Sequence, residues 1–349
     1  MKAEPASAPF AGPFALGTLS ALSAPGALSA PGALAAPDQS VPAEFPALVT
    51  PDGEAIDVRA AFGEPALTTR GLLDRWEEFL PRLRALAAEG GAPRRPLAEF
   101  RVHAPVEPRQ VFQSGANYRK HVIDLHVAHR APADERSDEE RREEAAALMD
   151  RRAADDLPYV FIGLPSAITG PYDDVVLPAW AGQPDWELEL AAVIGKAAHR
   201  VPVSEALEYV AGYTIANDLT DRAAVFRGDM PQIGTDWLRS KNAPGFTPLG
   251  PWIVPASSIA EPRDLRITLK LNGETMQDDS TKDMIFDVAR MVSYASQTAR
   301  LLPGDLVLTG SPAGNGMHWG RLLRDGDVMD GSVTGLGAQR TRCVAEETP

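Results

Sequence analysis

Cysteine is almost missing from this sequence. Cys343 is the only one in 349 residues, which excludes an internal disulfide and a cysteine-based metal cluster and fits a reducing cytoplasm. It lies in a strand-like tail with no histidine nearby in sequence, so a thiol nucleophile is disfavoured. Cationic charge is also short. Lys and Arg number 34 against 48 Asp and Glu, a formal net charge of −14, whereas a nucleic-acid binder needs a basic face. No run approaches the ~20 apolar residues of a membrane-spanning helix. The opening MKAEPASAPFAGPFALG has Glu4 and several prolines where a secretory leader has a cationic stretch and an unbroken apolar core. Neither a GxGxxG nor a Walker motif occurs, so nucleotide binding has no support. These absences leave the expectation of a cytoplasmic protein that binds neither nucleic acid nor membrane.

What is present suffices for a sizeable core, since 44% of the residues are hydrophobic. Residues 17–40 carry an Ala/Pro-rich repeat, ALSAPGALSAPGALAAP, with no amphipathic period. Strand-like pieces flank it at 14–19, 45–50 and 55–58, the last two joined by the turn residues Pro51-Asp52-Gly53. Apolar spacing at Trp76, Phe79, Leu80 and Leu83 gives a helix over 71–89, ended by Gly90-Gly91. Residues 1–104 thus read as a small N-terminal β/α domain. A highly charged helix follows at 134–155, inside an insertion spanning 127–157 that suits a flap over a site. From 159 onward short β-rich runs alternate with Gly, Pro and Asp turns, interrupted by helices near 203–210 and 284–300. The class is α+β and β-rich, with a second domain over 105–349.

PDWELELAAVIG (184–195) carries the first chemical signal. In a strand Glu187 and Glu189 point the same way, with Trp186, Leu188 and Leu190 opposite. Two like charges on a half-buried face repel and lose hydration, so a positive partner is required. Asp218, at the end of the apolar run GYTIAND, supplies a third carboxylate. Three such oxygen donors suit Mg²⁺ or Mn²⁺. Upstream, His121 and Asp124 share a helical face at i, i+3, so the aspartate can orient the imidazole; the same spacing also marks a surface helix with a stray histidine, and His126 and His129 follow at once. Lys241 precedes a turn-rich segment, and Gly310 and Ser311 lie in a Gly-rich loop of the kind that offers N–H groups to an anion.

Seven ordered segments, GANYRKH, DWELELAAVIGK, AGYTIANDLTDR, RSKNAPGFTPLGPWIV, LNGETMQ, PGDLVLTGSPAG and GDVMDGSVTGLG, resemble those of the fumarylacetoacetate hydrolase superfamily over about 105–345. The resemblance implies a mixed β-sandwich and roll, a homodimer, and Mg²⁺ or Mn²⁺ held by Glu187, Glu189 and Asp218. Asn117 stands where the founding hydrolase has a fourth acidic ligand, so three protein ligands are expected. The family's histidine dyad falls on His121 and Asp124, with aspartate in place of glutamate, its arginine on Arg222 and its lysine on Lys241. Gly163 replaces a lysine common in the family's FxKP stretch. The implied activity is metal-dependent hydrolysis of a C–C bond in a β-diketo acid such as an acylpyruvate, with Lys241 and the Gly310 loop amides stabilising the enolate and Arg222 gripping a carboxylate or positioning ligands. Oxaloacetate decarboxylation, keto-acid isomerisation or hydration on the same site, and a catalytically inactive binding protein, are the alternatives.

Overall fold

A computed structural model describes residues 9–22, 43–89, 91–128, 136–232 and 234–347. Most of the Ala/Pro repeat, Gly90 and His129 fall outside them. The N-terminal part is a five-stranded antiparallel sheet in the order Arg95–Pro96, Glu54–Asp57, Phe45–Val49, Ala15–Ala21, Phe100–His103. The hairpin between its second and third strands in sequence closes where Pro-Asp-Gly is expected to turn it, with Thr50 N–H donating to Glu54 O at 2.9 Å and Gly53 at φ 82°. The single helix expected over 71–89 is two: Thr69–Asp74, capped by the Thr68 hydroxyl, and Trp76–Glu89, which buries Trp76, Phe79 and Leu83.

Two larger sheets build most of the rest, with two short two-stranded pairings, Pro184–Asp185 with Thr220–Asp221 and Ile168–Thr169 with Thr247–Pro248. One has six strands in the order Val254–Pro255, Val210–Asn217, Leu188–Ile194, Leu306–Leu308, Val111–Ser114, Val160–Gly163, with a single parallel pairing, between Leu306–Leu308 and Val111–Ser114. The other has five, from Glu274–Ser280 through Arg266–Leu271, Val328–Val333 and Gly337–Ala345 to Val175–Leu177. They close face to face. A Cβ on Gly331 would stand 2.7 Å from Leu188 Cδ1, so a larger residue there would push the Leu188 side chain aside where the sheets approach.

Leu188–Ile194 is buried along its whole length. Leu188, Leu190, Ala192 and Ile194 join the core shared with the second sheet, whereas Ala191 and Val193 join a separate cluster with Leu16, Leu48, Ile56 and Phe79 of the N-terminal part. A strand covered on both faces is apolar on both, which is why the two glutamates alone break the run. The segment expected to be a helix near 203–210 is a 3₁₀ turn, Val203–Tyr209, and the helix expected near 284–300 is Val288–Thr298.

The charged helix is Asp138–Asp155, begun by a Ser137/Glu140 capping box with three acids in its first turn. It clasps the helix Arg119–Ala128, which carries His121. Arg141, 3% exposed, donates to Val127 O at 3.0 Å, and Arg119 pairs with Asp150. Among the described residues no helix is long and apolar enough to cross a membrane.

Candidate metal centre

Glu187 and Glu189 do share a face, but Glu187 lies one residue ahead of the strand Leu188–Ile194. Its backbone is fixed by Asn217 and Asp218: Glu187 N–H donates to Asn217 Oδ1 at 3.0 Å, and Asp218 N–H to Glu187 O at 2.8 Å. That pairing brings the end of the neighbouring strand back to the glutamates. Glu187, Glu189 and Asp218 each offer an oxygen within 4.8 Å of the others.

The surroundings polarise the three unequally. Burial pushes Glu187 up, but Arg222 and Lys241 more than offset it and bring it to about 2. Asp218 is pushed up to about 6, by burial first, against the pull of Lys241. Glu189 is driven well above the carboxylate range by burial and by the charge of Asp218. One of its oxygens accepts from Gly310 N–H at 2.7 Å; the other, Oε1, is buried with no partner among the described residues. A buried carboxylate oxygen without a donor is costly. Two oxygens bound to one hard cation at ~2.0–2.6 Å stand at most roughly 4–5 Å apart. The donor set, its spacing and the orphaned Glu189 oxygen therefore fit Mg²⁺ or Mn²⁺.

Lys241, fully buried at the end of the short helix Trp237–Lys241, places its ammonium between two of the acids. It donates to Glu187 Oε2, to Asp218 Oδ2 at 2.7 Å and to Asp218 O at 2.9 Å, so its three N–H bonds are taken. Arg222 donates to Glu187 Oε1 at 2.6 Å and to Asp185 Oδ2 at 2.9 Å. Of the two roles open to Arg222 in the sequence, the geometry supports positioning. Similarly, the sequence reading gives the Gly310 amide to a substrate anion; the anion it meets is Glu189. Ser311 Oγ accepts from Gln277 at 2.8 Å.

His121 is half-buried on Arg119–Ala128. Burial lowers its pKa from 6.5; Glu187 and Asp124 act the other way, and Arg222 and His318 reinforce it. The imidazole is thus neutral at pH 7, as a base must be. The Asp124 carboxylate accepts from Arg142 of the charged helix at 2.8 Å, so it ties the two helices together while adding its field to His121. His126 is exposed on the same helix. The Phe161 ring, 5.9 Å from the Lys241 ammonium, stacks on Trp237 at 4.3 Å.

Two contributors escaped the sequence reading. Asp185, fully buried, braces Arg222 and accepts from the N–H groups of Trp186, Gly316 and Met317. Its signal was there, since Asp185, Glu187 and Glu189 alternate. Gln113 had no such signal.

Asn117 has no room to act as a ligand. Its Nδ2 donates to Phe286 O at 2.9 Å and Thr309 O at 2.8 Å, and its Oδ1 accepts from Phe286 N–H at 2.9 Å. An Asn117→Asp change sets a buried carboxylate against two carbonyl oxygens. The expected result is a loss of roughly 3–5 kcal/mol of stability, read by urea denaturation of the metal-free protein, with no gain in metal affinity. An unchanged midpoint would show that the site tolerates the extra acid.

Fold and site together define a class: a β-rich scaffold whose buried carboxylates suit a hard divalent cation. Residues 110–344 match the family model described as fumarylacetoacetate (FAA) hydrolase C-terminal, and the chain belongs to that family. A mitochondrial oxaloacetate tautomerase of Bos taurus is 34% identical over 291 residues, 82% of either chain. A 2,4-didehydro-3-deoxy-L-rhamnonate hydrolase of Sphingomonas sp. (strain SKA58) is 41% identical over 186 residues, 52% of this chain and 64% of that one. Among solved structures, a fumarylacetoacetate hydrolase from Exiguobacterium antarcticum superposes with TM-score 0.68 at 29% identity, covering 87% of this chain and 96% of the other. Maleylpyruvate hydrolase from Sphingobium sp. SYK-6, in complex with manganese(II) and pyruvate, gives TM-score 0.66 at 26% identity, covering 87% and 97%.

Proposed function

We propose that the protein is a metal-dependent hydrolase that cleaves a C–C bond in a β-diketo acid of the acylpyruvate kind. The observation that carries the reading is the convergence of Glu187, Glu189 and Asp218 beside Lys241, with one Glu189 oxygen buried and unpartnered among the described residues. Glu187, Glu189 and Asp218 would hold Mg²⁺ or Mn²⁺, which supplies a compact positive charge favouring the enolate of a 2-keto acid. His121, neutral at pH 7, takes a proton from water, and the water oxygen attacks the distal carbonyl. The C–C bond then breaks with its electrons moving to the keto-acid fragment as an enolate, which is protonated at carbon. Lys241, its donors already engaged, contributes a fixed charge. Arg222 and Asp185 hold Glu187 in place. The manganese and pyruvate in the maleylpyruvate hydrolase complex support this choice of substrate class.

A second reading, interconversion of oxaloacetate tautomers, is supported by the Bos taurus relative, which matches over most of both chains. The same enolate serves it without a nucleophilic water. The test is pyruvate release from an acylpyruvate alongside enol-to-keto conversion of oxaloacetate. Chelation should abolish the true activity and Mg²⁺ or Mn²⁺ should restore it. Turnover of oxaloacetate alone would replace the hydrolase reading. Metal binding with neither activity would mark a binding protein.

A further inference from the structure

Gln113 plays no part in the reading above, yet it touches one of the three carboxylates. It lies on Val111–Ser114, opposite Phe161 in the antiparallel pairing with Val160–Gly163. The side chain is buried, and its Nε2 donates to Asp218 Oδ1 at 2.5 Å. Lys241 takes the other oxygen, Oδ2. Asp218 is therefore gripped at both oxygens, by a charge on one side and a neutral amide on the other.

The far end of the same amide explains a glycine. Gln113 Oε1 has no partner among the described residues and rests against the backbone at Gly163. A Cβ on Gly163 would stand 2.6 Å from Oε1, 2.7 Å from Cδ and 3.1 Å from Nε2, so any other residue there displaces the amide. Gly163 is not among the glycines at positive φ, so its backbone does not demand glycine. Only the amino end of an amide is attractive to a carboxylate, and turning it toward Asp218 leaves Oε1 unsatisfied. A buried acceptor kept at that cost points to a task at Asp218.

We propose that Gln113 is a positioning residue for the Asp218 ligand and that the space at Gly163 admits it, the two forming one device. The inference rests on the metal reading of the triad. Hydrogen-bond partners of metal ligands fix ligand orientation and typically change metal affinity about 10–100-fold when removed.

The experiment is a Mn²⁺ titration of the purified full chain, followed by electron paramagnetic resonance, with melting of the metal-free protein in parallel. Gln113→Met keeps the volume and loses the donor. It should weaken Mn²⁺ binding by about 10–100-fold and alter the bound-Mn²⁺ spectrum, while the metal-free melting temperature stays near that of the parent. Gly163→Ala should weaken binding in the same direction, since its Cβ displaces the amide. In a Gln113→Ala background the same Gly163→Ala change should do nothing, because the shortened side chain leaves the room free; a purely structural role for the glycine would act in both backgrounds. If the parent binds Mn²⁺ and Gln113→Met binds it equally well, or if Gly163→Ala costs the same factor in both backgrounds, the proposal is overturned alone. If the parent itself binds no Mn²⁺, the metal reading fails and this device falls with it.

Discussion

Glu189→Gln and Asp218→Asn should each leave a folded protein that has lost turnover and its metal together. Glutamine at 189 still offers an acceptor to Gly310 N–H, which donates to the carboxylate at 2.7 Å, so the backbone contact survives. What disappears is one of three carboxylate donors in a site where Glu189 and Asp218 are buried and Glu187 is partly so, and which has few substitutes. A bound cation contributes several kcal/mol to an enolate-forming step. At ~4 kcal/mol its loss is about 10³-fold in kcat/KM. Stability of the metal-free protein should not fall, and a modest rise is expected, because the change removes a buried acid whose ionised form burial and Asp218 disfavour. Asparagine at 218 gives up an oxygen that Lys241 or Gln113 now holds, so its fold should be the less stable of the two. The measurements are kcat/KM, metal content after dialysis, and metal-free melting. Either variant with full activity and stoichiometric metal would remove the triad from the mechanism.

The legible and illegible parts of the site differ in a physical way. Strand periodicity puts Glu187 and Glu189 on one face, and the fold keeps them there. It cannot show that the strand is covered on both sides, because Ala191 and Val193 read simply as more apolar residues; the cover comes from Leu16, Ile56 and Phe79 far away in sequence. The Pro-Asp-Gly turn is a local matter, and the hairpin appears where expected. Which anion a donor serves is a tertiary matter. A Gly-rich loop and a basic residue near an acidic cluster suit a substrate carboxylate or a ligand carboxylate equally, and here Gly310 and Arg222 serve Glu189 and Glu187. The i, i+3 pairing of His121 with Asp124 shows the same limit. The spacing is right, but the partner that reaches Asp124 is Arg142, from the charged insertion. That insertion, which in sequence suits a flap over a site, holds the His121 helix through Arg141 and Arg142.

His121→Ala should cut hydrolysis of an acylpyruvate by roughly 10²–10⁴-fold, the range for losing a positioned general base. Metal occupancy should persist, since the imidazole is outside the triad. Oxaloacetate decarboxylation, if the protein catalyses it, should fall much less, because stabilising an enolate requires the charge at the triad but no attacking water. The pH dependence follows from the direction of the His121 shift. Burial holds its pKa below 6.5, so the base form predominates at neutral pH, and the acid limb of kcat/KM should lie below 6.5 in the parent protein. Asp124→Asn should act in the same direction and more weakly: it removes a field that raises the pKa of His121 and loosens the tie to Arg142, but leaves the imidazole present. The decisive data are paired rate constants for both reactions, with saturating Mg²⁺ and then Mn²⁺. Hydrolysis unchanged in His121→Ala would transfer the role of base to another group, with His126 on the same helix the first to be substituted.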